Sequence, residues 1–591
     1  MDPLETVIHY HDRTKHHPQR HARSLGYMDW ATQPDPFRRY AGAPLVPLPP
    51  LIEDETPPYD RIYEPGAVSP SDVSARSLSR FLECSLAISA WKEYGDTRWA
   101  LRVNPSSGNL HPTEGYLIVD SVEDIGPQPA VYHYAPKEHG LEQRTKIEPG
   151  AWTSLTAGLP RGSFLVGLTS ILWRETWKYG ERAFRYCQHD AGHALGALRL
   201  AAAMLGWRLV MLDHLADSDV GRLLGVDRDV DFKNAEREEP DLLAVVFPQT
   251  ESPSQPLAMT GDSIVRAARG PWMGRANRLS NDHVDWDVID QVADAAHKPT
   301  TSSAYRSHSI RAATVRERTE STSRPDSDPS SSESTDSTAH CIIRQRRSAV
   351  DFDAVTSISR DVFFGIMDRV MPGPESTACD SDHPGAHGHT VAHAHRIPFD
   401  VWPWSAAIHL FMFVHRVRQL APGLYMLVRD PAQTERIKEA VRSDFTWTTP
   451  PNSPSELPLY CLAEGDCRTA AAQLSLGQAI AGDSAFSLGM VADFESSLTK
   501  HGPWFYRRFF WEAGLVGQVL YLEAEAAGIR ATGIGAYYDD RVHDLFGLTG
   551  HGFQSMYHFT MGGPVDDTRL TTLPAYDWSP VVVDPPKRPA T

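Results

Sequence analysis

The 591-residue chain has only six cysteines: Cys84, Cys187, Cys341, Cys379, Cys461 and Cys467. No two of them stand at the two-residue gap of a short zinc or redox site, and six in so long a chain make no disulfide framework. They read as reduced thiols. Long apolar runs are missing as well. The best candidates, such as 242–247, have strand length, whereas a membrane helix needs about 20 apolar residues. No bilayer span is expected. The opening Met1-Asp2-Pro3-Leu4-Glu5 has neither the basic start nor the apolar stretch of a secretory signal, so a cytoplasmic location is the expectation. Positive charge is in deficit too. A formal net charge of −18 argues against a protein that tracks nucleic-acid phosphates with Lys and Arg. A small-molecule partner fits better.

What is present describes a globular enzyme-sized chain. A hydrophobic fraction of 41% and 15 tryptophans confine any disorder to local segments. Single cores stop growing at roughly 250–300 residues, so two domains are expected. The boundary is a stretch at 298–340, crowded with Ser, Thr, Arg and Asp and without an apolar period, which reads as a flexible linker. It separates a first domain at 51–297, preceded by an arm at 1–50, from a second at 341–591. Within the second, 375–396 carries His383, His387, His389, His393 and His395 among Gly, Ala and Pro and reads as an inserted surface loop. No metal site is assigned. The loop histidines lack an ordered scaffold, and His9, His11, His16 and His17 read as surface histidines of an arm.

The two sides of the linker repeat each other without a gap. Lys178-Tyr179-Gly180 matches Lys500-His501-Gly502, Arg185 matches Arg507, Ala191-Gly192 matches Ala513-Gly514, and Gly206 matches Gly528. The register continues from Asp217, Val220, Leu223 and Gly225 to Asp539, Val542, Leu545 and Gly547. Leu195, Leu198 and Ala202 in one copy and Val516, Leu520 and Leu522 in the other have helical spacing, ending at a glycine. Each copy therefore predicts a long buried helix, a strand at 207–212 or 529–534, and a helix led by Asp217 or Asp539. Further strands are expected at 116–119, 242–247, 408–414 and 555–561. The fold class is α+β, with the long helices packing against each other.

Three segments carry candidate chemistry. The first is Asn104-Pro105-Ser106-Ser107-Gly108-Asn109-Leu110-His111-Pro112-Thr113-Glu114, whose hydroxyls, amide and backbone groups can bond the edge of a flat polar heterocycle. The second, Arg346-Arg347-Ser348, follows the linker. Two guanidinium groups at a helix start suit a phosphate. The third is Thr532-Gly533-Ile534-Gly535-Ala536, where small residues permit close backbone approach.

Together these segments resemble the nitroreductase superfamily, and the first looks like its SagB-type (azoline dehydrogenase) branch in a tandem fused form. The resemblance implies FMN as cofactor and two nitroreductase-like domains paired as an internal dimer. It assigns Arg346, Arg347 and Ser348 to the phosphate and ribityl chain. Pro105, Ser106, Ser107, Asn109, Gly533, Gly535 and Ala536 are assigned to the flavin ring, and Arg569 is a second cation for the phosphate. Lys178 and Tyr179 resemble a Lys-Tyr pair that azoline dehydrogenases keep near the flavin as acid–base groups, although packing and snorkelling at a helix start would explain them equally well. Each half lacks what the other keeps. Pro403-Trp404-Ser405-Ala406-Ala407 stands where the serine–asparagine turn would be, and Met211-Leu212-Asp213-His214 faces the glycine loop. One composite site is therefore expected, with the second lost. The implied activity is hydride transfer between an organic substrate and flavin. A nicotinamide-dependent nitro or quinone reductase and a flavin-free scaffold are the rivals.

Overall fold

A computed structural model describes residues 1–251, 257, 259–302, 337–373, 375–376, 392–393 and 395–578. Most of the linker and of the histidine-rich loop therefore lies outside the described residues. The two long helices form as the repeat requires, at Ala183–Met204 and Tyr506–Ala526. Gly206 and Gly528 follow them with φ of 67° and 70°, the left-handed turn-off that glycine adopts without a side-chain penalty. The helices led by carboxylates run Asp217–Leu224 and Asp539–Phe546.

Each half contributes an antiparallel sheet. In the first the order is Leu45–Pro47, Gly140–Lys146, Ala130–Ala135, Thr113–Val119, Phe164–Ser170, Glu239–Pro248, Trp207–Met211. The second runs Leu459–Glu464, Gly423–Leu427, Ile408–Val414, Phe486–Asp493, Phe553–Gly562, Arg530–Ile534. The orders correspond strand for strand, except that the arm adds Leu45–Pro47 to the edge of the first sheet. Alternation along the strands divides the cores. Leu242, Ala244 and Val246 face the central helices, while Leu243, Val245 and Phe247 face an outer cluster under the peripheral helices. The inner cluster is continuous across both halves, so the helix pair is a shared core lying between two sheets.

The helices touch at their glycines. A Cβ on Gly192 would fall onto the backbone of Trp511, and one on Gly514 onto the carbonyl of His189. His189 and Trp511 are themselves equivalent in the repeat, so the crossing lies on a pseudo-two-fold axis. The same symmetry governs the buried charges. Arg185 pairs with Asp539 at 2.9 Å, and Arg507, its counterpart, pairs with Asp217 at 2.5 Å. Both pairs cross between halves.

Two segments stitch the halves further. The arm begins as a helix at Pro3–Arg13, and His11 is fully buried, within hydrogen-bond reach of Tyr506 at 3.2 Å and Gln554 at 3.0 Å. This corrects its reading as a surface histidine. The apolar face of the helix needs cover, and the second half supplies it through Phe494 and Tyr506. At the other end, Thr571–Leu573 crosses back to pair with Ile88–Tyr94 of the first half. The segment read as linker is structured at both edges. Lys298 is buried and donates to the Leu215 carbonyl, and Thr338 caps a helix at Ala339–Gln345.

Candidate functional site

The two motif segments that stand more than two hundred residues apart meet. Arg346, buried at the end of the Ala339–Gln345 helix, donates from its guanidinium to the carbonyl of Arg102 at 2.9 Å, just ahead of the Asn104–Asn109 turn. Its Nε has no partner, and its guanidinium carbon lies 4.9 Å from the Tyr521 ring centre. Arg347 is committed to structure: it donates to the carbonyls of Arg344 and Arg346 at 2.9 and 2.7 Å, and its backbone N–H donates to Glu525. Ser348 is exposed. Its hydroxyl shares a 2.9 Å hydrogen bond with Tyr521, whose oxygen also accepts from the Gly533 N–H at 3.0 Å.

The serine–asparagine turn is held in a strained form, with positive φ at Gly108, Asn109 and His111. Asn109 is tied down on both sides of its amide, donating to the Ala100 carbonyl at 2.8 Å and lying 3.0 Å from His111 Nε2. The Ser106 hydroxyl accepts from the His111 N–H at 2.7 Å. Ser107 donates through its backbone N–H to Asp190 of the first central helix at 3.1 Å. Pro105 enters the turn from a buried stretch. Much of the polar capacity of the turn thus maintains its own shape.

Lys178 and Tyr179 join this turn. They are half-buried at the end of the Leu172–Tyr179 helix, and a Cβ on Gly108 would stand 2.6 Å from the Tyr179 hydroxyl and 3.1 Å from Lys178 Nζ. The Tyr179 ring lies 4.4 Å from that of Tyr186, and Tyr186 in turn rests on Gly535. Gly533 is covered by the Tyr557 hydroxyl. The glycines of the loop therefore also admit tyrosines from the helix and from the neighbouring strand, a packing the sequence did not reveal. Ala536 adjoins it, with its carbonyl accepting from Gln478 at 3.1 Å. Arg569 is exposed and paired with Asp567 at 2.7 Å.

Several buried groups here, Asn104 apart, were not singled out by any motif. Asn104 Oδ1 lacks a partner although the residue is buried, while the buried His193 faces Gln518 and the buried His189 faces the Met556 backbone. Burial depresses the His193 imidazole to about 3, with the Arg346 charge acting in the same direction, so it stays neutral. Asp190 and Glu175 lie beneath the turn, and burial raises both carboxyls, Asp190 to about 7. Such groups look like ordinary helix polar residues in sequence; only their burial marks them.

The equivalent location on the other side of the pseudo-axis carries other side chains. Arg508 occupies the repeat position of Tyr186, and Asp213 that of Gly535; the two form an ion pair at 2.9 Å. The Arg508 guanidinium stacks over Trp511 at 3.8 Å and Trp504 at 5.2 Å, and Trp404 stacks on Trp402. Elsewhere, Glu83, Cys84 and His340 bring possible ligand atoms together. There Arg80 pairs with Glu83 at 2.8 Å and burial pushes the Cys84 thiol upward, so that group favours an ion pair over a metal. A cavity of about 500 Å³ lined by His415, Arg416, Glu464, Asp466 and Arg468 contains none of the motif residues.

An α+β tandem with sheets outside, paired helices inside and one polar cluster spanning the halves defines the class. The nitroreductase family model matches residues 67–233 and 412–563, once in each half, and the chain belongs to that family. A crystal structure assigned to the nitroreductases from Anabaena variabilis shares the fold across 95% of this chain and 99% of its own, at 20% identity and a TM-score of 0.64. A nitroreductase homologue from Methanocaldococcus jannaschii is 27% identical over 160 residues, covering 26% of this chain and 76% of the relative. Among the described residues, no helix is long and apolar enough to cross a membrane.

Proposed function

We propose that the chain is an FMN-dependent oxidoreductase holding one flavin between its halves and acting as a dehydrogenase on an organic, azoline-like heterocycle. The observation that carries this reading is the convergence of Arg346 on the Arg102–Asn109 segment, which unites two partial motifs from opposite sides of the linker. The residues fit the group: Arg346 Nε and Asn104 Oδ1 are buried polar atoms awaiting partners, and unpaired buried polar atoms are costly unless a ligand or water satisfies them. Arg346 and Ser348 would hold the phosphate and ribityl chain, with Arg347 fixing the Arg346 backbone. Pro105, Ser106, Ser107 and Asn109 would flank the ring from the first half, and the Gly533–Ala536 loop from the second. Bound FMN supplies a two-electron hydride acceptor.

Lys178 and Tyr179 beside the turn favour a dehydrogenase over a nicotinamide-driven reductase, since removing hydride from a carbon next to an N–H or O–H leaves a proton for a base to take. The Arg508–Asp213 pair and the surrounding tryptophans favour one site over two. The expected result is a yellow protein with about one flavin per chain by absorbance after denaturation. A stoichiometry near two, or a colourless protein that added FMN does not convert, would refute the reading. Assays with NAD(P)H and a quinone test the reductase alternative, and turnover there with none on heterocycles would replace the proposed substrate class.

Arg346→Gln should weaken FMN binding roughly 10- to 100-fold, the worth of about 1.5–3 kcal/mol for a hydrogen bond to a charged group. Flavin fluorescence titration measures it. An unchanged affinity would place the phosphate elsewhere.

A further inference from the structure

We infer that Glu175 and Asp190 form a paired-carboxyl proton store under the Ser106–Ser107 turn, taking up the proton released during substrate oxidation and returning it to solvent. The inference rests on the proposed flavin site and adds to it two residues that no motif marks. The geometry is specific. Asp190 projects from the first central helix and accepts from the Ser107 N–H at 3.1 Å and from the Ser107 hydroxyl at 3.3 Å. Glu175 lies on the same helix as Lys178 and Tyr179, is wholly buried, and has neither carboxylate oxygen in a hydrogen bond of ordinary geometry. The Ser106 hydroxyl sits beside both carboxyls, and each residue feels the other group or the tyrosines around it.

Among the described residues, Lys178 is the cation that acts on the pair. The titratable groups facing it are Lys178 and Tyr179 from one helix, Cys187 from the other and Tyr557 from the second-half strand. Of these only Lys178 carries positive charge, and it is half-exposed. Burial penalises the charged form of each carboxyl, and the Asp190 charge raises Glu175 further, so Glu175 keeps its proton while Asp190 can exchange one. Burial raises Glu175 well above the carboxylate range and Asp190 to about 7, so near neutrality the pair keeps one proton and has room for a second. A purely structural brace for the turn would need one acceptor for Ser107, which Asp190 supplies alone. A second buried carboxyl beside it, with only the Ser106 hydroxyl near, is a cost that function explains.

The transfer balances simply. As a substrate N–H or O–H loses its proton to the Tyr179 oxygen, Tyr179 gives up its own hydroxyl proton through the turn to the ionised carboxylate, which becomes a carboxylic acid. Tyr179 ends as it began, the pair has gained one proton, and no unpaired charge remains buried.

Asp190→Asn and Glu175→Gln test this, because an amide preserves the acceptor for Ser107 while it cannot carry the proton. In the flavin-free wild-type protein, difference infrared spectra between pH 5 and pH 8 should show a carboxylic-acid carbonyl band titrating near neutrality. Asp190→Asn should abolish it. The folded protein binds this proton where the unfolded chain has already lost it, so wild-type stability should fall as pH rises from about 4 through 7, and Asp190→Asn should flatten that slope. In the flavin-loaded enzyme, both variants should bind FMN at the wild-type level, lower substrate oxidation at least tenfold and remove the neutral inflection of the pH–rate profile. A carbonyl band unchanged in both variants, or carboxyls ionised throughout pH 5–8, would overturn the proton store. A wild-type protein that binds no flavin would overturn the proposed function instead, while the infrared titration would still decide the state of the pair.

Discussion

Gly514→Leu is expected to destabilise the protein by about 3 kcal/mol or more, at the upper end of forced overpacking. The new side chain would enter the helix crossing, where a Cβ alone already falls onto the His189 carbonyl and stands 2.9 Å from the His193 nitrogen and 3.0 Å from the Gly192 Cα. These obstacles are backbone atoms of a fully buried helix, so no rotamer change relieves them. The helices would have to separate, opening the inner core that both sheets share. Gly192→Leu meets the Trp511 backbone in the reciprocal geometry and should cost about the same within ~1 kcal/mol. Gly365→Ala, at an exposed helical site with nothing within 4 Å, is the control and should be neutral or mildly stabilising. Urea unfolding midpoints compare the three. A Gly514→Leu protein as stable as the control would show that the halves do not dock through this crossing.

Removing the carboxylate of Asp539 should cost about 3–5 kcal/mol, the range for leaving a buried charge without its partner. Asp539 is fully buried and receives Arg185 at 2.9 Å, Arg182 at 3.1 Å and the backbone N–H of His16 at 3.0 Å. Asp539→Ala strands two guanidinium groups, each about 2% exposed or less, at the contact between the arm, the first central helix and the second half. Burial alone would raise the Asp539 carboxyl, yet Arg182 and Arg185 overcome it and hold the group well below the usual carboxylate range. With the folded pKa depressed, this stabilisation is complete above the unfolded value near 4 and is lost only as pH falls toward the lower folded value. The wild-type advantage over Asp539→Ala should therefore persist from pH 8 down to about pH 5 and shrink below pH 4. A difference under 1 kcal/mol at pH 7 would mean that the pair is replaced by solvent.

These two results concern residues that the repeat marked for another reason. Gly192 and Gly514, Arg185 and Arg507, and Asp217 and Asp539 stood out as matched positions, and the helices, strands and glycine stops around them formed within a residue or a few of the expected limits. The matching could not say that each arginine would find the aspartate of the opposite copy. A repeat records what two segments share; which copy a side chain reaches depends on how the segments dock.

The candidate site divides in the same way. Arg346 and the Pro105–Asn109 turn were legible because anion binding and tight turns demand particular residue types in short spans. Glu175, Asp190, His193 and Gln518 were not, since an acidic or amide residue on a helix has the same local signature whether it meets water or a buried cluster. The glycine loop was read as making room for a ring, and its glycines also make room for Tyr186 and Tyr557, which no local pattern announced. Arg569 matched by order along the chain alone; it is exposed and paired with Asp567.

The sequence by itself determined the α+β elements, the duplication and the uneven inheritance of motifs, because periodicity, turn residues and short motifs are local properties of the chain. Only the tertiary structure decided that the copies face each other about a two-fold axis, that the arm and the last strand bind them together, and that Arg508 pairs with Asp213 beside tryptophans at the place equivalent to the glycine loop. Burial and charge pairing arise between segments far apart in the chain, and no local pattern encodes them.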